Sequence, residues 1–271
     1  MRFAIVGPSR AGARHSDVEP VQPTGGVQSV ARAFGLLEVL GDRGGQAGLS
    51  ELSEAMGLPL PTMHRLLRTL VQLGYIRQLP SRRYALGPGL IRLGDQATRL
   101  LASWAGPALE QLEEATRETA NLAVLDGVQA AYVAQVPSRH QMRMFTEVGR
   151  RVYTHSTGVG KALLAGLPDT EVLSVVRRAG MPGFTATTLT DEAALLADLA
   201  GIRDRGYAVD EGEQEPGVRC FALVVPGAPT PTAVSVSGPD TRVTLEAAGW
   251  MVPALREAAD RLAAVLATLP E

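Results

Sequence analysis

The sequence predicts an α+β protein of two domains, and three observations carry that prediction. Apolar residues between Val30 and Leu73 recur at helical spacing, after which the chain switches to a short hairpin pattern. From Asn121 onward, short apolar segments alternate with helical stretches. The charge divides along the same line: residues 1–99 hold twelve Arg against seven acids, net +5, and residues 100–271 hold fourteen Lys and Arg against twenty-one acids, net −7.

The elements follow in order. Residues 1–25 mix Gly, Pro, Ser and charges without apolar periodicity and read as a disordered tail. Val30, Phe34, Leu37 and Leu40 then share one helical face, and Gly41 ends the run. Ser50 suits the N-cap of a short second helix stopped by Gly57, and Pro61 opens a third that reaches Leu73. Tyr75-Ile76 and Tyr84-Ala85-Leu86 flank the turn-forming Leu79-Pro80-Ser81-Arg82, which predicts a β-hairpin. Three helices and a hairpin over residues 26–88 make a winged helix-turn-helix. A linker helix over 89–104 follows, and Pro107 restarts a helix at the head of a second domain over 105–271. That domain is expected to hold strands at 121–125, 131–136, 142–148, 207–209, 218–225 and 233–237. Helices are expected at 158–166, 169–179, 191–205 and the C-terminus, lying on one side of an antiparallel sheet.

Composition narrows the function classes. No apolar run approaches the roughly 20 residues that span a bilayer, and the start lacks a secretory pattern. The single cysteine, Cys220, excludes an intrachain disulfide and a cysteine-based zinc site. A cytoplasmic protein without metal, cofactor or membrane partner is expected.

The third helix carries the sharpest signal. On a wheel, Met63, Leu66, Leu67, Leu70 and Leu73 fall within an arc of about 120°. Pro61, Thr62, His64, Arg65, Arg68 and Gln72 lie outside it and include the residue types that reach phosphates and base edges. Pro61 near the helix start is expected to leave the first amides free for a phosphate. An isolated helix with such a face is commonly just solvated. Here no Asp or Glu occurs between Glu54 and Asp95 while six arginines do, and Arg82 and Arg83 sit at the hairpin tip. Double-stranded DNA is the partner this pattern fits.

Three segments of the second domain carry polar residues. His155-Ser156-Thr157-Gly158-Val159-Gly160-Lys161 fails as a phosphate loop, because His155 stands where Gly is required and Ala162 where Ser or Thr is. It reads instead as a capped helix start whose amides could hold a carboxylate, or as a purely structural cap. Asp210 lies in an acidic segment with Glu211, Glu213 and Glu215, and Ser235 and Ser237 alternate on one face of a strand. Cys220 paired with His155 or His140 would make a thiol or acyl hydrolase, but no nucleophile signature surrounds it.

Gly26-Val27-Gln28-Ser29-Val30, Leu49-Ser50-Glu51-Leu52, Leu58-Pro59, His64-Arg65-Leu66-Leu67-Arg68-Thr69-Leu70, Gly74-Tyr75 and Tyr84-Ala85-Leu86-Gly87 together resemble the IclR family of regulators, over about residues 26–268. The resemblance implies a GAF-like effector domain, a homodimer or tetramer, and a palindromic operator, with repression as the expected output. It also implies an effector cavity lined by Gly158, Asp210, Val218, Cys220, Ser235 and Ser237, with Val159 where a smaller Ala is common. The implied effector is a small carboxylate such as glyoxylate or a ureide acid. Stretches 133–136 and 143–149 resemble the regulators of allantoin and glyoxylate metabolism.

Overall fold

The computed structural model describes residues 27–144 and 147–268, so the expected tail over 1–25 lies outside the described residues. The chain divides into two units between Gly94 and Asp95.

The first unit runs α1 (Gln28–Asp42), β1 (Gln46–Ala47), α2 (Leu49–Met56), α3 (Leu60–Gln72), β2 (Ile76–Gln78) and β3 (Tyr84–Leu86). Its core gathers Leu36 and Leu40 of α1, Leu52 of α2, Met63, Leu67 and Leu70 of α3, and Ile76 and Tyr84. The buried face of α1 is rotated from the expected one: Gly35, Leu36 and Leu40 are buried, while Val30 and Phe34 are exposed. Gly41 does not end α1, which runs to Asp42 before Gly44 and Gly45 take positive φ. Leu73, expected in the core, is the exposed C-cap of α3. Gly48 caps α2 in place of Ser50, and its amide donates to Glu51 Oε2 at 3.1 Å. Gly57 ends α2 at φ 60°, a left-handed conformation that suits a residue without Cβ. The chain can then turn within two residues into Pro59, the N-cap of α3. The hairpin of β2 and β3 gains a third strand, since β1 pairs with β3 through Gln46↔Ala85 and Ala47↔Tyr84.

Next comes α4 (Gly89–Thr116), a single helix that continues through Pro107 rather than restarting there. The second unit then holds β4 (Thr119–Asp126), β5 (Gln129–Val136), β6 (Arg151–Tyr153), α5 (Gly158–Ala165), α6 (Asp169–Ala179), α7 (Glu192–Arg205), β7 (Ala208–Glu211), β8 (Val218–Val224), β9 (Thr232–Pro239) and α8 (Ala248–Leu266). Six antiparallel strands stand in the order β6-β5-β4-β9-β8-β7. The described residues of 142–148 form no strand, and the edge next to β5 is made by β6 instead.

Helices cover both faces of this sheet, not one. Leu109 and Leu112 of α4 and Leu255 and Leu262 of α8 pack with Leu122, Phe221, Val234 and Val236 on one face. Val159 and Leu163 of α5, Val172 and Val176 of α6 and Leu195 and Leu199 of α7 pack with Ala123, Cys220, Ala222 and Ala233 on the other. Central strand β9 is buried at every residue but the last, as a strand covered twice must be. The face of β9 that carries the two serines also carries Ala233, which packs with α5.

Candidate functional sites

In the first unit, α3 buries Met63, Leu67 and Leu70 and turns Pro61, His64, Arg65, Arg68 and Gln72 outward, with Thr62 half-buried between. The strip is therefore built by amphipathic period alone: burying one row of the helix obliges the other to face outward. The first-turn amides, however, are not free. Thr62 and Met63 both donate to the Pro59 carbonyl, at 2.9 and 3.0 Å, and Pro61 has no N–H, so these three offer less to a phosphate than the sequence suggests. Among the described residues no carboxylate pairs with Arg65, Arg68 or Arg82, whereas Arg83 is held by Glu51 through two bonds of 3.0 and 3.1 Å. That pair, with the Gly48 amide, holds the Glu51 carboxyl below its ordinary range. Arg83 thus ties the wing to the start of α2. Arg82 is the exposed cation of the tip, at φ 62° in a turn closed by its amide on Leu79 O.

In the second unit, sheet register assembles the polar residues. Asp210 of β7 pairs with Cys220 of β8, Cys220 with Ser237 of β9, and Ser237 with Thr119 of β4. Directly paired residues share a face, so these four form one row across four strands. The adjacent row on that face carries Ala222, Ser235, Asn121 and Gln135. Val218 stands beside the first row at the start of β8, opposite Pro239.

Above the first row sits the start of α5. A Cβ on Gly158 would lie 2.8 Å from Cys220 Sγ, so only glycine lets the helix approach this strand so closely. Thr157 caps the helix by accepting from the Gly160 amide at 3.2 Å and donating to Tyr153 O at 2.9 Å. Val159, next to Gly158, is wholly buried in the core under α5. Six of the seven expected residues thus line one face of the sheet or the helix turn laid upon it, and Val159 packs behind them.

Electrostatics single out Asp210. Its Oδ1 accepts from the Glu213 amide at 2.8 Å, yet burial, with the Glu213 charge adding to it, pushes its pKa to about 7. Glu213 is itself raised by burial although it bonds Lys161. Lys161 of α5 is 2% exposed and lies 2.5 Å from Glu213 and 2.8 Å from Asp198 of α7. This buried cation ties α5 to α7 and to the segment that follows Asp210. Thr185, Thr187 and Thr188 secure the same segment through the carbonyls of Glu211, Gly212 and Glu213.

The residues that sequence reasoning missed are Asn121, Gln135, Tyr132 and Lys161. Asn121 donates to Ser237 Oγ at 3.1 Å and Ser235 Oγ at 3.4 Å and accepts from Gln135 Nε2 at 3.0 Å. The Tyr132 phenol is raised first by burial and then by the nearby Cys220 and Asp210 charges. An asparagine within the apolar run Leu122-Ala123-Val124 was the available signal for the first of these.

Cys220 does not have the surroundings of a nucleophile. Burial pushes its thiol up to about 12, and Gly158 covers it. His155 is engaged elsewhere: its Nε2 lies 3.0 Å from Pro182 O, its ring stacks on Phe184, and burial lowers its pKa.

Two family models match this architecture. The IclR helix-turn-helix domain covers residues 29–80, and the model described as bacterial transcriptional regulator IclR C-terminal covers residues 97–264. The chain belongs to the IclR family. It is 37% identical to the transcriptional repressor IclR of Escherichia coli K12 over 248 residues, 88% of this chain and 89% of that protein. A putative IclR regulator from Silicibacter sp. TM1040 superposes with a TM-score of 0.78 at 30% identity, covering 89% of this chain and 98% of that one. An IclR homologue from Microbacterium hydrocarbonoxydans, solved in complex with 4-hydroxybenzoate, superposes with a TM-score of 0.73 at 25% identity, covering 89% of this chain and all of that one. The family is one of DNA-binding regulators with an effector domain, which leaves the hydrolase reading without support. Among the described residues, no helix is long and apolar enough to cross a membrane.

Proposed function

We propose that this IclR-family protein is a cytoplasmic repressor whose homodimer reads a palindromic operator with α3 and releases it when a small carboxylate binds over β7, β8 and β9. The observation that carries the effector half is the row Asp210–Cys220–Ser237 beneath Gly158. One end of that row offers the Ser237 hydroxyl to an acid group. The other offers Asp210, which accepts a hydrogen bond from a ligand hydroxyl or N–H. A ligand with a carboxylate at one end and a donor at the other satisfies both, and the 4-hydroxybenzoate held by the Microbacterium relative is such a molecule. A ureide acid has the same two groups separated by a short chain, which supports the allantoin reading, whereas glyoxylate as its hydrate carries both on adjacent carbons and would meet one end at a time.

For the DNA half, Arg65 and Arg68 supply cations where α3 is exposed, Gln72 and His64 supply base-edge hydrogen bonding, and Arg82 reaches beyond the helix from the wing. Coupling requires the effector to favour one dimer geometry over another, by about 1–3 kcal/mol in regulators of this kind.

A mobility shift on the promoter adjoining the gene tests this. Wild type should bind and be displaced by a small carboxylate. Asp210→Ala should bind the operator near normally and lose the response. A variant released at the wild-type effector midpoint would remove Asp210 from the site.

A further inference from the structure

The two serines of β9 are not free rotors. Asn121, wholly buried, donates one amide proton to Ser237 Oγ and the other to Ser235 Oγ, and its own oxygen is occupied by Gln135 Nε2. A hydroxyl has one proton to give, and an oxygen that accepts from Asn121 must point that proton elsewhere. The Ser235 hydroxyl lies against the Cys220 thiol. Among the described residues the Ser237 hydroxyl meets no acceptor, and it faces the α5 side of the sheet. The opposite sense would have Asn121 accepting and both serine protons turned inward. That sense would leave Ser237 an acceptor with no proton to offer, and the seat over it would suit a donor or a cation.

We propose that Asn121 is a specificity-determining positioning residue: it holds the Ser237 hydroxyl as a hydrogen-bond donor, so the ligand atom seated there must be an acceptor oxygen. This rests on the effector-site reading above and deepens it by fixing which end of the ligand goes where. The acceptor end sits on β9 at Ser237. The donor end points to Asp210 on β7, two strands away, a backbone separation of about 9.5 Å at ordinary strand spacing. A molecule whose acid and donor groups are separated by a ring or a short chain fits that span.

The test uses calorimetry on the full-length protein with 4-hydroxybenzoate as probe and 4-hydroxybenzylamine as its counterpart, in which an ammonium donor replaces the acid. Wild type should prefer the acid at least tenfold. Ser237→Ala should lose about tenfold for the acid in the wild-type background. In Asn121→Asp the new carboxylate accepts from the serines and turns their protons inward, so adding Ser237→Ala should then change affinity less than twofold. Simple charge repulsion by the new carboxylate would leave the tenfold serine loss intact in both backgrounds, and that additive result would overturn the role of Asn121 alone. Preference for the amine would overturn it as well. Binding of neither probe, nor of glyoxylate, would remove the effector class and this inference together. Should Asn121→Asp fail to fold by circular dichroism, the acid-over-amine preference of wild type decides the matter.

Discussion

The two units handle charge in opposite ways. In the first, Arg65, Arg68 and Arg82 are exposed and unopposed by carboxylates among the described residues. In the second, the charges that matter are buried: Lys161 is clasped by two acids, and Asp210 is pushed to about 7 by its surroundings. A polyanion such as DNA can be met by cations that remain in water, because the attraction acts on approach and needs no burial. A small effector must be recognised by groups taken out of water, and each such group needs a partner or a changed protonation state. The difference teaches where mutations should act: on binding in the first unit, on stability and response in the second.

The largest effect should come from Lys161. Lys161→Met removes the cation from a buried cluster and leaves Glu213 uncompensated, which costs about 3–5 kcal/mol in cases of this type. Urea unfolding followed by fluorescence should show that loss. An unchanged midpoint would mean that the clasp contributes nothing to the fold.

Next in size is a pH dependence set by Asp210. Its folded pKa of about 7 lies above its ordinary value of 3.8, so between those values the folded state holds more proton than the unfolded one. Stability is then present in full below pH 4 and falls as pH rises toward 7, by on the order of 3–4 kcal/mol for this group alone. Asp210→Asn should flatten that slope between pH 4 and 7, measured as unfolding free energy against pH. A variant with the wild-type slope would show that Asp210 ionises freely in the fold.

The smallest effect separates the two arginines of the wing. Arg82→Ala should lower the salt slope of operator binding by about 1. Arg83→Ala should leave both the salt slope and the stability close to wild type, since its pair with Glu51 is exposed to solvent. Equal salt slopes for the two variants would erase the distinction between a contact and a tether.

These contrasts also explain what the sequence disclosed. The DNA-reading helix was legible because its face obeys one period, with Met63, Leu67 and Leu70 inward and Arg65 and Arg68 outward. The face of α1 was misjudged because Val30 and Phe34 are apolar and yet exposed, so composition pointed to the wrong arc. Arg83 was indistinguishable from Arg82 because its partner Glu51 lies 32 positions away and only the fold joins them. In the effector unit, the family resemblance supplied Asp210, Cys220 and the serines, while Asn121 and Lys161 stayed hidden. Asn121 is fixed by sheet register and cross-strand hydrogen bonds, and Lys161 by acids 37 and 52 positions away on α7 and beyond β7, and neither arrangement leaves a local period. Strand β9 concealed its double cover for a related reason: small residues such as Ala233 and Ser235 serve a helix-covered face as readily as a solvated one.

The most direct measurement is operator affinity by fluorescence anisotropy for an Arg65→Ala, Arg68→Ala double variant, run beside a thermal shift with 4-hydroxybenzoate. Two lost contacts of about 1–3 kcal/mol each should weaken operator binding by at least about thirtyfold, with the ligand-induced shift unchanged. Operator affinity equal to wild type, with the fold intact, would contradict the assignment of α3 as the surface that reads DNA.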